Sequence, residues 1–254
     1  MGTRLELDRG SHEHVVQFCG SDDSSLVRNV SEYLSAGILL GQGALIIAGT
    51  ERSTAFVNEL SAISGCNGDQ LRKQAGLLDA ADTLAAFMRD GWPDPDLFDA
   101  VVGSRVRESQ QRHGHVRAFG EMVELLWMAG EASAAIELED LWTRLLEQGN
   151  LDLFCSYSID VFGAQFQAGC LDGLLSTHSR FISGTSDALG AAMERALEEV
   201  LGPKFYGLRL LATRTERASW PPMPQLERTV LWLRRYLPRY ADEILDKARA
   251  YSAA

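Results

Sequence analysis

The chain has no apolar run approaching the ~20 residues that a bilayer span requires; its longest candidate, Ala44-Leu45-Ile46-Ile47-Ala48, has the length of a buried strand. Residues 1–10 are charged and carry no apolar core, which argues against a signal peptide. The four cysteines, Cys19, Cys66, Cys155 and Cys170, are far apart and form no CxxC pair. Without export signals they read as reduced thiols in a cytoplasmic protein. The five histidines show no ligand spacing beside them, so no metal site is expected. Positive charge is also scarce, with 24 Lys and Arg against 35 Asp and Glu and a formal net charge of −11. Such a surface repels a phosphate backbone and argues against nucleic-acid binding.

Several catalytic signatures are missing too. A phosphate-binding P-loop needs GxxxxGK[ST], because backbone N–H groups and a lysine must neutralise the phosphates. Here the first strand instead runs into Gly20-Ser21-Asp22-Asp23 and the second into Gly49-Thr50-Glu51-Arg52. Carboxylates in those places would repel a nucleotide. No GxGxxG links a strand to a helix, and no GxSxG marks a hydrolase elbow. No catalytic residue and no cofactor are expected, and the chain reads as a non-enzyme.

What is present is enough apolar sequence for a substantial core, 46% of 254 residues. Over the first 160 or so residues, short apolar strands alternate with amphipathic helices. His14–Phe18 reads as a strand, then a polar cluster, then a helix with Leu26, Val30, Tyr33, Leu34 and Ile38 on one stripe. Gly43–Gly49 reads as a buried central strand, followed by a helix over 53–64 and a short strand at Leu77–Asp79. Helices are predicted near Asp82–Arg89 and Pro95–Arg112, with a turn at Gly91–Pro95 between them. A strand at His115–Phe119, a helix over Glu131–Glu147 and a strand at Leu151–Tyr157 complete the series. This alternation predicts an α/β three-layer sandwich on a mainly parallel sheet. After about Ser183 only helices are predicted, at 187–201, 204–212, 224–236 and 239–251. The expected organisation is therefore one domain over 12–183 and an α-helical C-terminal extension over 184–254.

Open parallel sheets bind ligands beyond the carboxyl ends of their strands. That rule singles out Asp22, Asp23, Thr50, Arg52, Asp79, Gly120, Glu121 and Tyr157. Each has a plainer reading: Asp22 and Asp23 as helix caps, Glu121 as a carboxylate favoured by a helix N-terminus. Trp142 lies on a strongly apolar helix face, so core packing outweighs ligand stacking there. Glu139 flanks that face, where a buried hydrogen bond would shape a pocket. Cys155 reads as a small core residue. His178 is either a sensor of ligand or pH, or a structural cap.

Several of these segments together resemble the MEDS family, a sensory domain of methanogen, methylotroph and DcmR-type regulators. The resemblance is carried by His14-Val15-Val16-Gln17-Phe18 with Ser21-Asp22-Asp23, and by Arg117-Ala118-Phe119-Gly120-Glu121-Met122-Val123 with Leu126-Trp127. Leu138-Glu139-Asp140-Leu141-Trp142, Leu153–Tyr157 and His178-Ser179 continue it in order. The resemblance implies a RecA- or KaiC-like fold without a nucleotide-hydrolysing loop. It also implies a sensor of small hydrocarbon-derived ligands acting upstream of a kinase or transcription regulator. The stretch from Cys170 to His178 is longer than that pattern, and residues 184–254 resemble neither a kinase nor a helix-turn-helix. The expected partners are thus a small-molecule ligand and a signalling protein, with a homodimer through the C-terminal helices left open. A degenerate nucleotide binder and a ligand-free interaction module stand as alternatives.

Overall fold

The computed structural model describes residues 12–20, 23–64, 71, 74–184, 187–204 and 222–252, except the side chains of 64, 168–170, 187 and 204. The strands are β1 (His14–Cys19), β2 (Gly43–Ala48), β3 (Ala75–Asp79), β4 (Met88–Arg89), β5 (Trp92–Pro93), β6 (Val116–Gly120), β7 (Leu151–Ser158) and β8 (Arg180–Ile182). Six of them make one sheet in the order β3-β2-β6-β7-β1-β8. The β2–β3, β2–β6 and β6–β7 registers are all parallel. Strands β1, β2 and β6 are buried at every position, as a sheet covered on both faces demands.

The described residues fall into two compact units, one holding residues 12–17 and 23–157, the other 18–20 and 158–252. In the first, α1 (Ser24–Ile38) and α2 (Thr50–Ser64) cover one face of the sheet. There Tyr33 meets Phe154 at 5.5 Å and Phe56 meets Phe119 at 4.9 Å, both edge to face. Side chains alternate along a strand, so Gly120 and Cys155, next to Phe119 and Phe154, look the other way. That opposite face receives α3 (Ala80–Phe87), α4 (Pro95–Phe98) and α7 (Ala132–Leu146), where Phe87, Phe98 and Trp142 stack edge to face at 5.4 and 5.3 Å. The α/β sandwich and its mainly parallel sheet are thus as expected.

Two local readings are corrected. The turn at Gly91–Pro95 lies within a small hairpin in which Met88 and Arg89 pair antiparallel with Pro93 and Trp92. Asp90 and Gly91 both have positive φ, 49° and 84°, which an Asp-Gly pair adopts readily in a type I′ turn. The long helix expected over Pro95–Arg112 is α4, then a π-helical turn (Asp99–Gly103), then α5 (Ser104–His113). Helices α6 (Met122–Met128) and α7 follow β6.

The second unit contains α8 (Ala168–Thr177), β8, α9 (Asp187–Leu201), α10 (Gln225–Tyr236) and α11 (Pro238–Ser252). The three-residue strand β8 carried no alternation long enough to read from sequence. The predicted helix over 204–212 lies outside the described residues apart from its first position. Helices α9 and α11 pack together, with Lys247 bridging Glu199 at 2.7 Å and Arg195 lying 4.0 Å over the Tyr251 ring. Among the described residues no helix is long and apolar enough to cross a membrane.

One packing feature yields a prediction. Arg117 is buried; it donates to the Tyr33 carbonyl at 2.8 Å and to Gln42 Oε1 at 2.9 Å, with its guanidinium over the Tyr33 ring. A Cβ at Gly37 would lie 2.7 Å from Arg117 Cδ and 2.9 Å from Gln42 Oε1. Alanine gains about 1 kcal/mol of helix propensity there, but overpacking a fixed neighbour costs about 1–3 kcal/mol. Gly37→Ala should therefore lower the urea midpoint, by a net ~1 kcal/mol, without changing the denaturant slope.

Candidate functional site

Among the described residues of the first unit, two polar clusters draw on residues singled out from the sequence. The first is centred on Arg52, in the first turn of α2 and just past the end of β2. Its Nε and Nη2 donate to Asp23 at 2.7 and 3.1 Å, its Nη1 to Glu121 at 3.0 Å, and its Nη1 and Nη2 to Glu124 at 2.6 and 3.1 Å. Glu121 also accepts the Gly49 N–H at 2.7 Å, and Glu124 accepts the Ser156 hydroxyl at 2.8 Å. Contributions thus come from the carboxyl ends of β1, β2, β6 and β7. Asp23 and Glu121 both stand at the N-cap of a helix, yet neither makes a side-chain cap bond to it. The simple capping role for Asp23 is therefore replaced: the Arg52 fork outcompetes the helix N–H groups as its partner.

This cluster holds three carboxylates against one guanidinium, largely shielded from water. The Arg52 side chain is 14% exposed and that of Glu124 5%, while Asp23 reaches solvent at 39%. Burial alone would lower the pKa of Arg52, but its bonds to Glu124 and Asp23 and the nearby charges outweigh this and hold it above the ordinary arginine range. Glu121 is pushed above the ordinary carboxyl value, first by burial, with Gly49 and Arg52 opposing and the neighbouring carboxylates adding to the rise.

The second cluster lies on the opposite face of the sheet, beneath α7. Glu139, fully buried, accepts the Tyr157 hydroxyl at 2.5 Å on Oε1. Its Oε2 lies 3.1 Å from His14 Nε2 and 3.8 Å from Cys155 Sγ. His14 Nε2 and Cys155 Sγ are 3.5 Å apart. Burial, then the Glu139 charge, pushes the Cys155 thiol and the Tyr157 phenol well up, so both keep their protons beside the carboxylate. Cys155 and Tyr157 meet Glu139 together because residues two apart in a strand share a face.

A family model for the MEthanogen/methylotroph, DcmR Sensory domain, MEDS, matches residues 13–179. The chain belongs to the MEDS family. A comparison with curated proteins returned no match. As a MEDS protein the chain carries a sensory domain, and the expected resemblance is thereby shown over nearly the whole of the range it was drawn from.

Within the MEDS domain the residues singled out from sequence separate into groups. Asp23, Arg52 and Glu121 meet in the first cluster. Glu139 and Tyr157 meet in the second. Gly120 ends β6 beneath the Trp142 ring, 3.5 Å from where its Cβ would stand. Trp142 is fully buried against Phe98, and its indole N–H has no hydrogen-bond partner among the described residues. Thr50 opens α2 with an exposed side chain and joins neither cluster. Asp79 caps α3 by accepting the Asp82 N–H at 3.0 Å. Asp22 lies outside the described residues. His178 belongs to the second unit, where it is buried at the end of α8 with Nδ1 2.6 Å from the Leu174 carbonyl oxygen.

Sequence reasoning missed Glu124, Ser156 and His14. Glu124 was findable, because it stands one helical turn after Glu121 on the same side. His14 was not: its partners lie more than a hundred residues away. Cys19 and Cys155 are both buried. A groove of about 360 Å³, lined by residues including Ala44, Gly76, Leu78, Arg105 and Glu108, runs beside the edge strand β3 rather than at the strand carboxyl ends.

Proposed function

We propose that this MEDS protein is a signal-sensing regulator, not an enzyme, which binds a small molecule near the carboxyl ends of its strands. Its helical tail then passes the signal to a partner protein, a kinase or transcription regulator in the same cytoplasm. The observation that carries this reading is the Arg52 cluster, in which residues at or beyond four strand ends share one hydrogen-bonded network around three carboxylates and a guanidinium. A ligand touching any member redistributes hydrogen bonds among all of them, which is how a local contact becomes a change in several elements. The excess of carboxylates favours a neutral or cationic ligand over a phosphate. Asp23 is the member most open to solvent and hence the first contact. In the tail, Tyr236 and Tyr240 are 47% and 44% exposed, leaving apolar area for a partner.

Native mass spectrometry of the full chain as purified tests this. The expected result is a small neutral or cationic adduct that is lost in Asp23→Asn, while the melting temperature stays within a few degrees of wild type. A bound ATP or ADP would overturn the reading in favour of a nucleotide binder. A ligand-free protein whose spectrum is the same in both variants would favour an interaction module.

A further inference from the structure

Beyond that reading, and independent of the Arg52 cluster, the geometry points to a buried transition-metal site formed by His14, Glu139 and Cys155, suited to a zinc-class divalent ion. The three residues offer imidazole, carboxylate and thiolate, a mixture that borderline-soft ions such as zinc accept and that calcium or magnesium does not. Their ligand atoms all lie within 4.8 Å of one another.

The shape of the triangle is more telling than its size. A tetrahedral ion with bonds of about 2.0–2.2 Å to nitrogen and oxygen and about 2.3 Å to sulfur sets its ligands about 3.4 Å apart for N and O, and about 3.6 Å where sulfur is one of the pair. The observed edges are 3.1 Å for Nε2 to Oε2, 3.5 Å for Nε2 to Sγ and 3.8 Å for Oε2 to Sγ. An ion placed over this face would need shifts of only a few tenths of an ångström. Without an ion the thiol has hydrogen-bond partners in the same two atoms, His14 Nε2 at 3.5 Å and Glu139 Oε2 at 3.8 Å.

The surroundings are those of a supported ligand set. Glu139 uses Oε2 toward the triangle while Oε1 is held by the Tyr157 hydroxyl, which fixes the carboxylate plane as a second layer of ligand support does. His14 and Cys155 come from strands and Glu139 from a packed helix, so the three donors are carried on rigid elements. On uptake of M²⁺ the Cys155 S–H bond breaks, the proton leaves to solvent, and the thiolate, the carboxylate and the neutral imidazole Nε2 each donate a lone pair, with no change of oxidation state. Three ligands from this unit leave one tetrahedral position to be filled by a further donor.

The test uses the untagged full chain, stripped with a chelator and reloaded with zinc or cobalt(II). Elemental mass spectrometry should find one equivalent of metal after gel filtration, and the cobalt form should show a thiolate-to-cobalt charge-transfer band with strong tetrahedral ligand-field bands. Cys155→Ser should abolish the charge-transfer band. Tyr157→Phe should weaken binding roughly 10–100-fold with an unchanged far-ultraviolet circular dichroism spectrum. Failure of the folded wild-type chain to bind either ion overturns the site, as does a cobalt spectrum without a thiolate band. Equal binding by a folded Cys155→Ser does so too; should that variant not fold, the wild-type cobalt spectrum decides.

Discussion

Arg52→Ala should lower the unfolding free energy by about 3 kcal/mol, within the range for breaking a buried ion pair by removing one partner. The loss comes less from the vanished attraction than from what remains. Glu121 and Glu124 are nearly buried, and without the guanidinium they face each other and Asp23, while the Gly49 N–H and the Ser156 hydroxyl still donate to them. Asp23, which reaches solvent, tempers the effect. Arg52→Lys should recover only part of the stability, because an ammonium cannot reproduce the paired bonds to Asp23 and Glu124.

The pH dependence of that loss has a definite sign. The folded-state pKa of Glu121 already lies above the ordinary 4.5, chiefly through burial, and Arg52 is one of the influences holding it down. An acid with a raised folded pKa binds its proton more tightly when folded. Its contribution to stability is fully present below the unfolded value and is lost as pH rises through the folded one. Removing Arg52 lifts the folded value further and widens that window. Urea titrations of wild type and Arg52→Ala should therefore diverge more at neutral pH than at pH 4.5 or below. An equal gap at both would mean that the carboxylates escape to water in the variant.

Trp142→Ala should cost about 3–5 kcal/mol, as expected for a fully buried aromatic truncated to alanine. The indole fills the space between Phe98 and Gly120 on the α7 face, and the glycine supplies no side chain to fill the cavity left behind. Trp142→Phe should be far milder. It keeps an aromatic ring near Phe98 and removes an indole N–H that has no partner among the described residues, and a buried unsatisfied donor itself costs about 1–3 kcal/mol. The net loss should stay below about 2 kcal/mol, read from urea midpoints at constant slope. Stacking on a ligand predicts another pattern, in which Trp142→Ala abolishes an adduct while leaving stability nearly intact.

The fate of Glu121 and Asp23 shows how far a linear reading reaches. Their place at strand ends was visible, because a run of consecutive apolar residues followed by polar ones marks where a parallel strand leaves the sheet. Their partner was not, because carboxylates at a helix start satisfy the helix N–H groups by default. Only the juxtaposition of Arg52 diverted them, and that depends on β2 lying beside β6. Glu139 and Tyr157 tell the same story on the opposite face. A glutamate beside an apolar stripe reads as a flank position until a strand residue brings its hydroxyl to 2.5 Å.

By itself, then, the sequence determined the α/β class, the alternation that requires a mainly parallel sheet, the lack of a phosphate loop and the MEDS motifs. These are properties of local period and composition, which neighbouring residues express without help. Tertiary structure alone decided the strand order, which draws Asp23, Arg52, Glu121 and Glu124 into one network. It also decided the meeting of His14 with Glu139 and Cys155, residues 125 and 141 positions further along the chain. Such contacts are set by which strands become neighbours and which face each side chain takes, and no spacing along the chain encodes them.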